Sequence, residues 1–284
     1  MAIINNLVML SEILVGIDFS QTSEKALRLA IDIANRTNAN IVMAWVEVGG
    51  DISKDKAIES FENLVKTSRQ FLESKEREIS YVITSGKVSH ALNEIVRKRK
   101  SSLMVIGTHG KSGFDEAFAG ANAYKAIASC PVPVLALREK FDFCKPLEKI
   151  ILPIDSTADT RQKVPWTIEF AKMFPNAQIL VLGLYSFKSK DMREIVQNYT
   201  KSVEVYLQKE NMKYSVEYRE SENSTITTID YAKEVNGDMI VIMKEQEKTL
   251  TNLFFLGPYA LQMINRSPIP VLTVPTRQIN DEGR

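Results

Sequence analysis

A tandem repeat sets the strongest constraint on how this chain of 284 residues folds. The segment ILVGIDFS at 13–20 returns as IILPIDST at 150–157, and ANIVMAWV at 39–46 returns as AQILVLGL at 177–184. LMVI at 103–106 returns as IVIM at 240–243, and PVPVL at 131–135 as PIPVL at 268–272. Four blocks that recur at offsets of 137 or 138 residues indicate a duplicated unit. We therefore expect two domains, at 1–140 and 146–276, with a connector across 139–148.

Each repeat alternates short apolar runs with segments of helical periodicity. In the first repeat, apolar runs at 13–17, 41–46, 79–83, 103–106 and 132–137 predict strands. Apolar residues at helical spacing predict helices around 26–34, 53–75, 88–99 and 120–128. Strands this apolar that alternate with helices are typical of a parallel sheet covered on both faces. The predicted fold class is therefore α/β, with two tandem doubly wound domains.

A glycine-bearing loop follows the fourth predicted strand. Gly107 ends the apolar run, Gly110 follows it, and Gly120 opens the next helix. Glycine lets the backbone approach an anion closely, and a helix start adds free N–H donors, so the arrangement can bind phosphate. Glycines that only form the turn between strand and helix would give the same pattern. If the first and fourth strands are neighbours, Asp18 and this loop face one cleft beyond the strand ends, where doubly wound sheets bind ligands.

These motifs resemble the universal stress protein family. The resemblance rests on ILVGIDFS at 13–20, on the spacing of Gly107, Gly110 and Gly120, and on CPVPVL at 130–135. It covers nearly the whole chain as two tandem copies. It implies a five-stranded parallel sheet of order 3-2-1-4-5 in each domain, with helices on both faces. It also implies an adenine nucleotide in the cleft, as in many members.

The resemblance assigns site residues to the first copy. The residues that would hold adenosine are Gly16, Ile17, Asp18 and the backbone of Val46. The residues that would surround the phosphates are Gly107, His109, Gly110, Lys111, Gly120, Ala121 and Asn122. The expected cofactor is ATP or another adenine nucleotide, with or without magnesium. A solvated loop histidine is the alternative interpretation of His109.

Ala121 departs from the family pattern, which has serine or threonine after the third glycine. The change removes a hydroxyl donor to the phosphates and leaves only the backbone N–H. A hydrogen bond to a charged group contributes about 1.5–3 kcal/mol, so we expect weaker binding of ATP relative to AMP by about tenfold or more. The amide of Asn122 is a potential substitute.

The second copy departs much further from the family pattern. At the repeat offset, Lys244 replaces Gly107, Glu247 replaces Gly110 and Pro258 replaces Ala121. Two long side chains crowd the approach of phosphates, a carboxylate repels them, and proline lacks an N–H. Asp155 remains, as a turn or helix-start carboxylate rather than a ligand. The second copy is therefore expected to have a structural role.

Composition and residue clusters exclude several other functions. A net charge of +1 without a long single-sign block predicts neither nucleic-acid nor membrane binding. The run 97–100 (RKRK) is interpreted as a solvated helix end, and His90 as a helix-surface residue. Cys130 and Cys144 have no metal-type spacing, and the chain is expected to be cytoplasmic. No metal cluster or catalytic set is visible, so no catalytic residue and no enzymatic activity is predicted.

Three hypotheses of function remain open at this stage. The glycine loop favours a regulatory nucleotide-binding protein of the stress response. Ala121 and the altered second loop favour an interaction scaffold that binds no nucleotide. A slow ATPase or phosphotransferase would depend on Asp18, His109 and the loop.

The last strand of each repeat is strongly apolar and carries no charge, which would be a liability at an open sheet edge. In many single-copy members of the family that the chain resembles, this strand pairs with its equivalent in a second subunit. Here the equivalent is tethered by a short connector, which favours pairing within the chain. We therefore predict an intramolecular pseudo-dimer with a local two-fold axis near Leu135 and Leu272. A homodimer of whole chains is compatible with it, and protein partners are not predicted.

Overall fold

The computed structural model describes residues 10–49, 52–74, 76–108, 121–139, 141, 146–185, 190–244, 246–248 and 254–276. At positions 121, 190, 246–248, 254 and 255 it describes the backbone alone. In the described part, no helix is both long and apolar enough to cross a membrane.

The first copy alternates strands and helices as its periodicity predicts. Its strands are β1 (Glu12–Gly16), β2 (Asn40–Glu47), β3 (Ile79–Ser85), β4 (Leu103–Gly107) and β5 (Val134–Leu137). Its helices are α1 (Gln21–Thr37), α2 (Lys54–Arg69), α3 (Val88–Arg99) and α4 (Ala121–Ser129). Helix α1 begins where the side chain of Ser20 accepts a bond from the Ser23 N–H, and it ends at Asn38, which has a left-handed backbone.

The second copy repeats this order with local changes. Its strands are β6 (Lys149–Ile154), β7 (Gln178–Tyr185), β8 (Lys213–Glu220), β9 (Met239–Lys244), β10 (Gln246–Lys248), β11 (Phe254–Leu256) and β12 (Val271–Pro275). Its helices are α5 (Val164–Lys172), α6 (Lys190–Lys209), α7 (Ser224–Glu234) and α8 (Pro258–Arg266), and a 3₁₀ turn spans Ala158–Arg161.

Ten strands of the described chain form one continuous sheet of order β3-β2-β1-β4-β5-β12-β9-β6-β7-β8. Within each copy the five strands of this sheet are parallel and follow the predicted order 3-2-1-4-5. The copies join where β5 and β12 pair antiparallel, with Leu135 opposite Leu272. Across the join, the Thr273 hydroxyl donates to the Val134 carbonyl at 3.2 Å. The predicted pseudo-dimer is therefore present, and the two apolar edges cover each other.

Two hydrophobic cores lie on opposite faces of the sheet, and each continues through both copies. One core lies beneath α1, α2, α5 and α6, and the other beneath α3, α4, α7 and α8. Arg36 of the first copy lies over the Phe174 ring of the second at 4.5 Å from its centroid. Tyr124 on α4 donates a hydrogen bond to the side chain of Asn265 on α8. The two copies are thus packed together on both faces of the sheet.

Several predicted boundaries were wrong. Helix α2 ends at Arg69 instead of 75, and β5 begins at Val134 because Pro133 cannot donate to the sheet. The counterpart of α1 is broken into a 3₁₀ turn and α5. Pro165, which stands near the start of α5, removes the backbone donor and clashes with the preceding turn, so a helix cannot run through it.

Candidate functional site

The candidate site lies at the carboxyl ends of three adjacent strands. β1 pairs with β2 on one side and with β4 on the other, so Gly16 has Ala44 and Ile106 as its register partners. The Ile17 N–H donates to the Ala44 carbonyl at 2.8 Å, which extends the ladder beyond β1. Val46 near the end of β2 is buried, and Gly107 ends β4. The structure therefore brings Gly16, Ile17, Asp18, Val46 and Gly107 to one edge of the sheet.

Gly107 is required by packing against the start of α1. A Cβ atom at this position would lie 2.7 Å from Cγ2 of Thr22 and 3.3 Å from the Thr22 carbonyl carbon. A Cβ at Gly16 would be less crowded, at 3.3 Å from Cγ1 of Ile106. Packing of β4 against the start of α1 thus requires glycine at position 107, independently of any ligand of the loop.

The exposed Asp18 forms the turn that leads from β1 into α1. Its Oδ1 accepts from the Ser20 N–H at 3.0 Å and from the Ser20 hydroxyl at 2.5 Å, while its own N–H donates to the Ser23 hydroxyl at 3.4 Å. Phe19 has a left-handed φ of 58°. Among the described residues, Oδ2 accepts no hydrogen bond, so this oxygen remains for a ligand.

The same turn recurs in the second copy. Oδ1 of Asp155 accepts from the Thr157 N–H at 2.9 Å and from its hydroxyl at 2.6 Å. The Asp155 N–H donates to the Thr160 hydroxyl at 3.2 Å. Asp155 therefore forms a turn, which is one of the two roles expected of it. Because both copies have this turn, the presence of aspartate at the position does not by itself indicate a ligand.

The phosphate side of the cleft is only partly described. His109, Gly110, Lys111 and Gly120 lie outside the described residues. Ala121 is the first residue of α4, and Asn122 in the same turn is exposed. The backbone N–H groups of this turn are the donors that a helix leaves without intrahelical partners. Whether the predicted phosphate ligands converge thus stays a prediction.

The corresponding end of the second copy has a different structure. The sheet register places Met243, and not Lys244, at the position of Gly107, because Gly107 pairs with Leu137 and Met243 pairs with the equivalent Val274. Lys244, one residue further on, is only 1% exposed, and its Nζ donates to the Cys130 carbonyl of the first copy at 2.6 Å. Burial lowers the pKa of Lys244 to about 8 and raises that of the Cys130 thiol to about 11. The side chain was expected to crowd a phosphate, but it crosses to the other copy.

A β-hairpin follows Lys244 where the first copy has its glycine loop. β10 and β11 pair antiparallel, with Glu247 opposite Phe255. Leu256 of β11 is buried in the core that contains Ala123 and Ala126 of α4. Helix α8 then begins at Pro258, after Gly257, so its first residue has no N–H to offer. These features are unsuited to a phosphate.

Sequence reasoning missed both the hairpin and the contact between Lys244 and Cys130. The one local signal was that a lysine directly follows the apolar run 239–243. A residue that continues a buried strand is itself buried, as Lys244 is, so its ammonium group needs an acceptor within the protein. Within the described part of the chain, no group of three or more histidine, cysteine or acidic side chains could hold a metal ion.

The fold defines a protein of two tandem, doubly wound α/β domains that share one sheet. The sequence profile of the universal stress protein family matches residues 9–138 and again 146–275, so the chain belongs to that family.

Individual relatives match either one copy or both. Universal stress protein A homolog 1 of Coxiella burnetii is 29% identical over 140 residues, which cover 45% of this chain and 96% of that protein. A universal stress protein of Methanocaldococcus jannaschii is 24% identical over 139 residues, covering 45% of this chain and 82% of that protein. The crystal structure of a universal stress protein from Archaeoglobus fulgidus has a TM-score of 0.73 at 16% identity, covering 96% of this chain and 99% of that one. The Archaeoglobus fulgidus protein therefore has the same fold across both copies.

Proposed function

We propose that this universal stress protein is a regulatory protein that binds one adenine nucleotide per chain, in its first copy. The observation that carries the proposal is the difference between the two strand ends. In the first copy, Gly16 and Gly107 have no side chain at the sheet edge, and Asp18 lies beside them with its Oδ2 accepting no hydrogen bond among the described residues, as is also true of Asp155. In the second, Met243 occupies the position of Gly107, and the buried Lys244 and a hairpin follow it.

The proposed contacts divide between the nucleoside and the phosphates. Oδ2 of Asp18 accepts from a ribose hydroxyl, and the backbone around Gly16, Ile17 and Val46 holds the base. The phosphate ligands are those that the family resemblance assigns, Gly107, His109, Gly110, Lys111, Gly120, Ala121 and Asn122. The start of α4 contributes its free N–H groups and the positive end of its dipole.

The direct test is to denature the purified protein and to identify any released nucleotide by chromatography. We expect an adenine nucleotide, at no more than one equivalent per chain. A protein that releases none, and that binds neither AMP nor ATP at millimolar concentration, would contradict the proposal. It would support the second candidate function, an interaction scaffold, which the altered second site favours.

We further propose that the protein is not an enzyme and acts in the cytoplasm. Asp18, the carboxylate that ends β1 at the cleft, already bonds Ser20 through Oδ1 and has no histidine or lysine partner among the described residues. Phosphate release from ATP should therefore be far slower than about 1 per second, a low value for an enzyme. Release at that rate, abolished in Asp18→Ala, would contradict this part of the proposal.

A further inference from the structure

The two outer strands of the ten-stranded sheet, β3 and β8, differ in charge although duplication made them equivalent. No strand of the described chain pairs with the outer edge of either one. β8 (KYSVEYRE) has four charged residues, Lys213, Glu217, Arg219 and Glu220. β3 (ISYVITS) has none. Because charges on an edge strand discourage pairing with another chain, β8 is protected and β3 is not.

The backbone of β3 presents hydrogen-bonding groups to its open edge. The Ile41 N–H of β2 donates to the Glu78 carbonyl at 2.9 Å, and residues of a parallel strand alternate in the side to which they bond. The N–H and C=O groups of Ile79, Tyr81 and Ile83 therefore point away from β2. The Tyr81 ring stacks on Phe61 of α2 with centroids 4.8 Å apart, which fixes the strand beneath that helix.

A groove separates this open edge from α2. It is lined by Glu62, Val65, Lys66 and Arg69 of the helix and by Ile79, Ser80 and Tyr81 of the strand. The carboxyl end of α2 thus lies near the amino end of β3, so helix and strand run in opposite directions.

One stripe of charges on the exposed side of α2 is sorted along its length, and Lys54 and Lys56 in the first turn lie outside this stripe. Residues spaced by three or four lie on one face of a helix, and five charged residues form such a stripe. Its acidic members come first and its basic members last: Asp55, Glu59, Glu62, Lys66 and Arg69. None of them forms an ion pair within the described part of the chain.

We propose that this face binds a second copy of the chain, with the two β3 strands antiparallel about a two-fold axis at Tyr81. Ile79 then lies opposite Ile83 of the partner subunit, and the outward backbone groups of both strands form about six hydrogen bonds. The two α2 helices lie on the same face of the joined sheet and run antiparallel.

The charge pattern selects a second copy over other occupants. In the two-fold arrangement, Lys66 and Arg69 face the acidic half of the other α2, while Glu59 and Glu62 face its basic half. The interface is therefore complementary to itself, as a two-fold contact requires. An acidic peptide would satisfy Lys66 and Arg69 but would meet Glu62 in the same groove, so this occupant is disfavoured.

Sedimentation velocity over a wide range of concentrations tests the proposal with two charge-reversed variants. The first variant carries Lys66→Glu and Arg69→Glu, and the second carries Glu59→Lys and Glu62→Lys. The first variant makes the α2 stripe wholly acidic and the second makes it basic from position 59 onward, so we expect self-association to weaken at least about tenfold in both. An equimolar mixture should dimerise again, because each interface then joins opposite charges. All four positions are exposed, and a thermal melt of each variant checks that it is folded.

A matched control makes the same charge change on α6, the helix that corresponds to α2 in the second copy. Lys201→Glu with Lys209→Glu should leave the dimer of whole chains unchanged. A wild-type chain that stays monomeric at every concentration would overturn the proposal. So would charge-reversed variants that dimerise like the wild type, a mixture that fails to restore association, or an equal effect of the α6 control.

Discussion

The ammonium nitrogen of Lys244, in the second copy, lies 2.6 Å from the carbonyl oxygen of Cys130, in the first. Cys130 directly follows α4, whose opposite end begins the proposed phosphate site. A cation at the carboxyl end of a helix interacts favourably with the helix dipole and with carbonyls that lack intrahelical partners. Directly after the position where the first copy has Gly107, the second copy thus provides a lysine that contacts the carboxyl end of α4.

Burial of Lys244 predicts a specific dependence of stability on pH. Its pKa is about 8 in the folded protein and 10.5 ordinarily, so the unfolded chain binds more protons between these values. The free energy of unfolding should therefore rise with pH from 8 to 10.5, by up to about 3 kcal/mol from this group. Below pH 8 both states are protonated and the contribution is constant.

Chemical denaturation of the Cys130→Ala protein, with and without Lys244→Met, measures this contribution. The alanine background is needed because burial raises the thiol pKa from 9.0 to about 11, which makes stability fall with pH in an overlapping range. We expect the rise between pH 8 and 10.5 to disappear in Lys244→Met. The same slope in both proteins would show that Lys244 does not titrate in this way.

The packing of Gly107 against Thr22 predicts the effect of a single methyl group. Gly107→Ala places a Cβ 2.7 Å from Cγ2 of Thr22, so one of the two elements must shift. Overpacking of this kind costs about 1–3 kcal/mol in the free energy of unfolding. Thr22→Ser removes Cγ2 and should restore much of the loss, as measured by urea denaturation without nucleotide. An equal loss in the double variant would show that the clash is not the cause.

Much of the fold could be predicted because repeated, local patterns encode it. The apolar runs that end at Asp18 and Gly107 became neighbouring strands, and the uncharged last strands met at Leu135 and Leu272. The break before Pro165 was missed because the repeat suggested an intact copy of α1. The partner of Lys244 lies 114 residues away, and a local pattern does not encode such a contact.

The candidate site was less predictable for a physical reason. In both copies, the aspartate at the end of the first strand forms the turn that follows it. The presence of this aspartate therefore indicates the fold as much as it indicates a ligand. Gly107 is similarly explained by packing, because Thr22 leaves no room for a side chain at that position. Only the contrast between the copies, in which Met243 and Lys244 stand where the first copy has Gly107 and Thr108, separates the two interpretations.

Paired substitutions of Asp18 and Asp155 separate turn formation from binding. Each carboxylate accepts hydrogen bonds from the second residue after it, so Asp→Ala should cost about 1 kcal/mol of stability in either copy. Asp18→Ala alone should abolish most nucleotide binding. Thermal denaturation and a nucleotide titration of both variants check this, and equal binding by the two would exclude Asp18 as a ligand.

Restoring the family hydroxyl at position 121 should change the preference among nucleotides. Ala121→Ser supplies a donor at the first residue of α4, and one bond to a charged phosphate contributes about 1.5–3 kcal/mol. We expect ATP to bind about tenfold or more tightly, with a smaller change for AMP. Competition titrations of both nucleotides against a fluorescent analogue measure the ratio, and an unchanged ratio would place the phosphates elsewhere.

Isothermal titration calorimetry of nucleotide binding tests the central claim most directly. The wild type and Pro258→Ala, a change in the second copy, should each bind one adenine nucleotide per chain. Gly110→Glu, which brings to the first copy the residue type found at Glu247, should bind none while remaining folded. Two nucleotides per chain, or binding by Gly110→Glu equal to that of the wild type, would contradict a single site in the first copy.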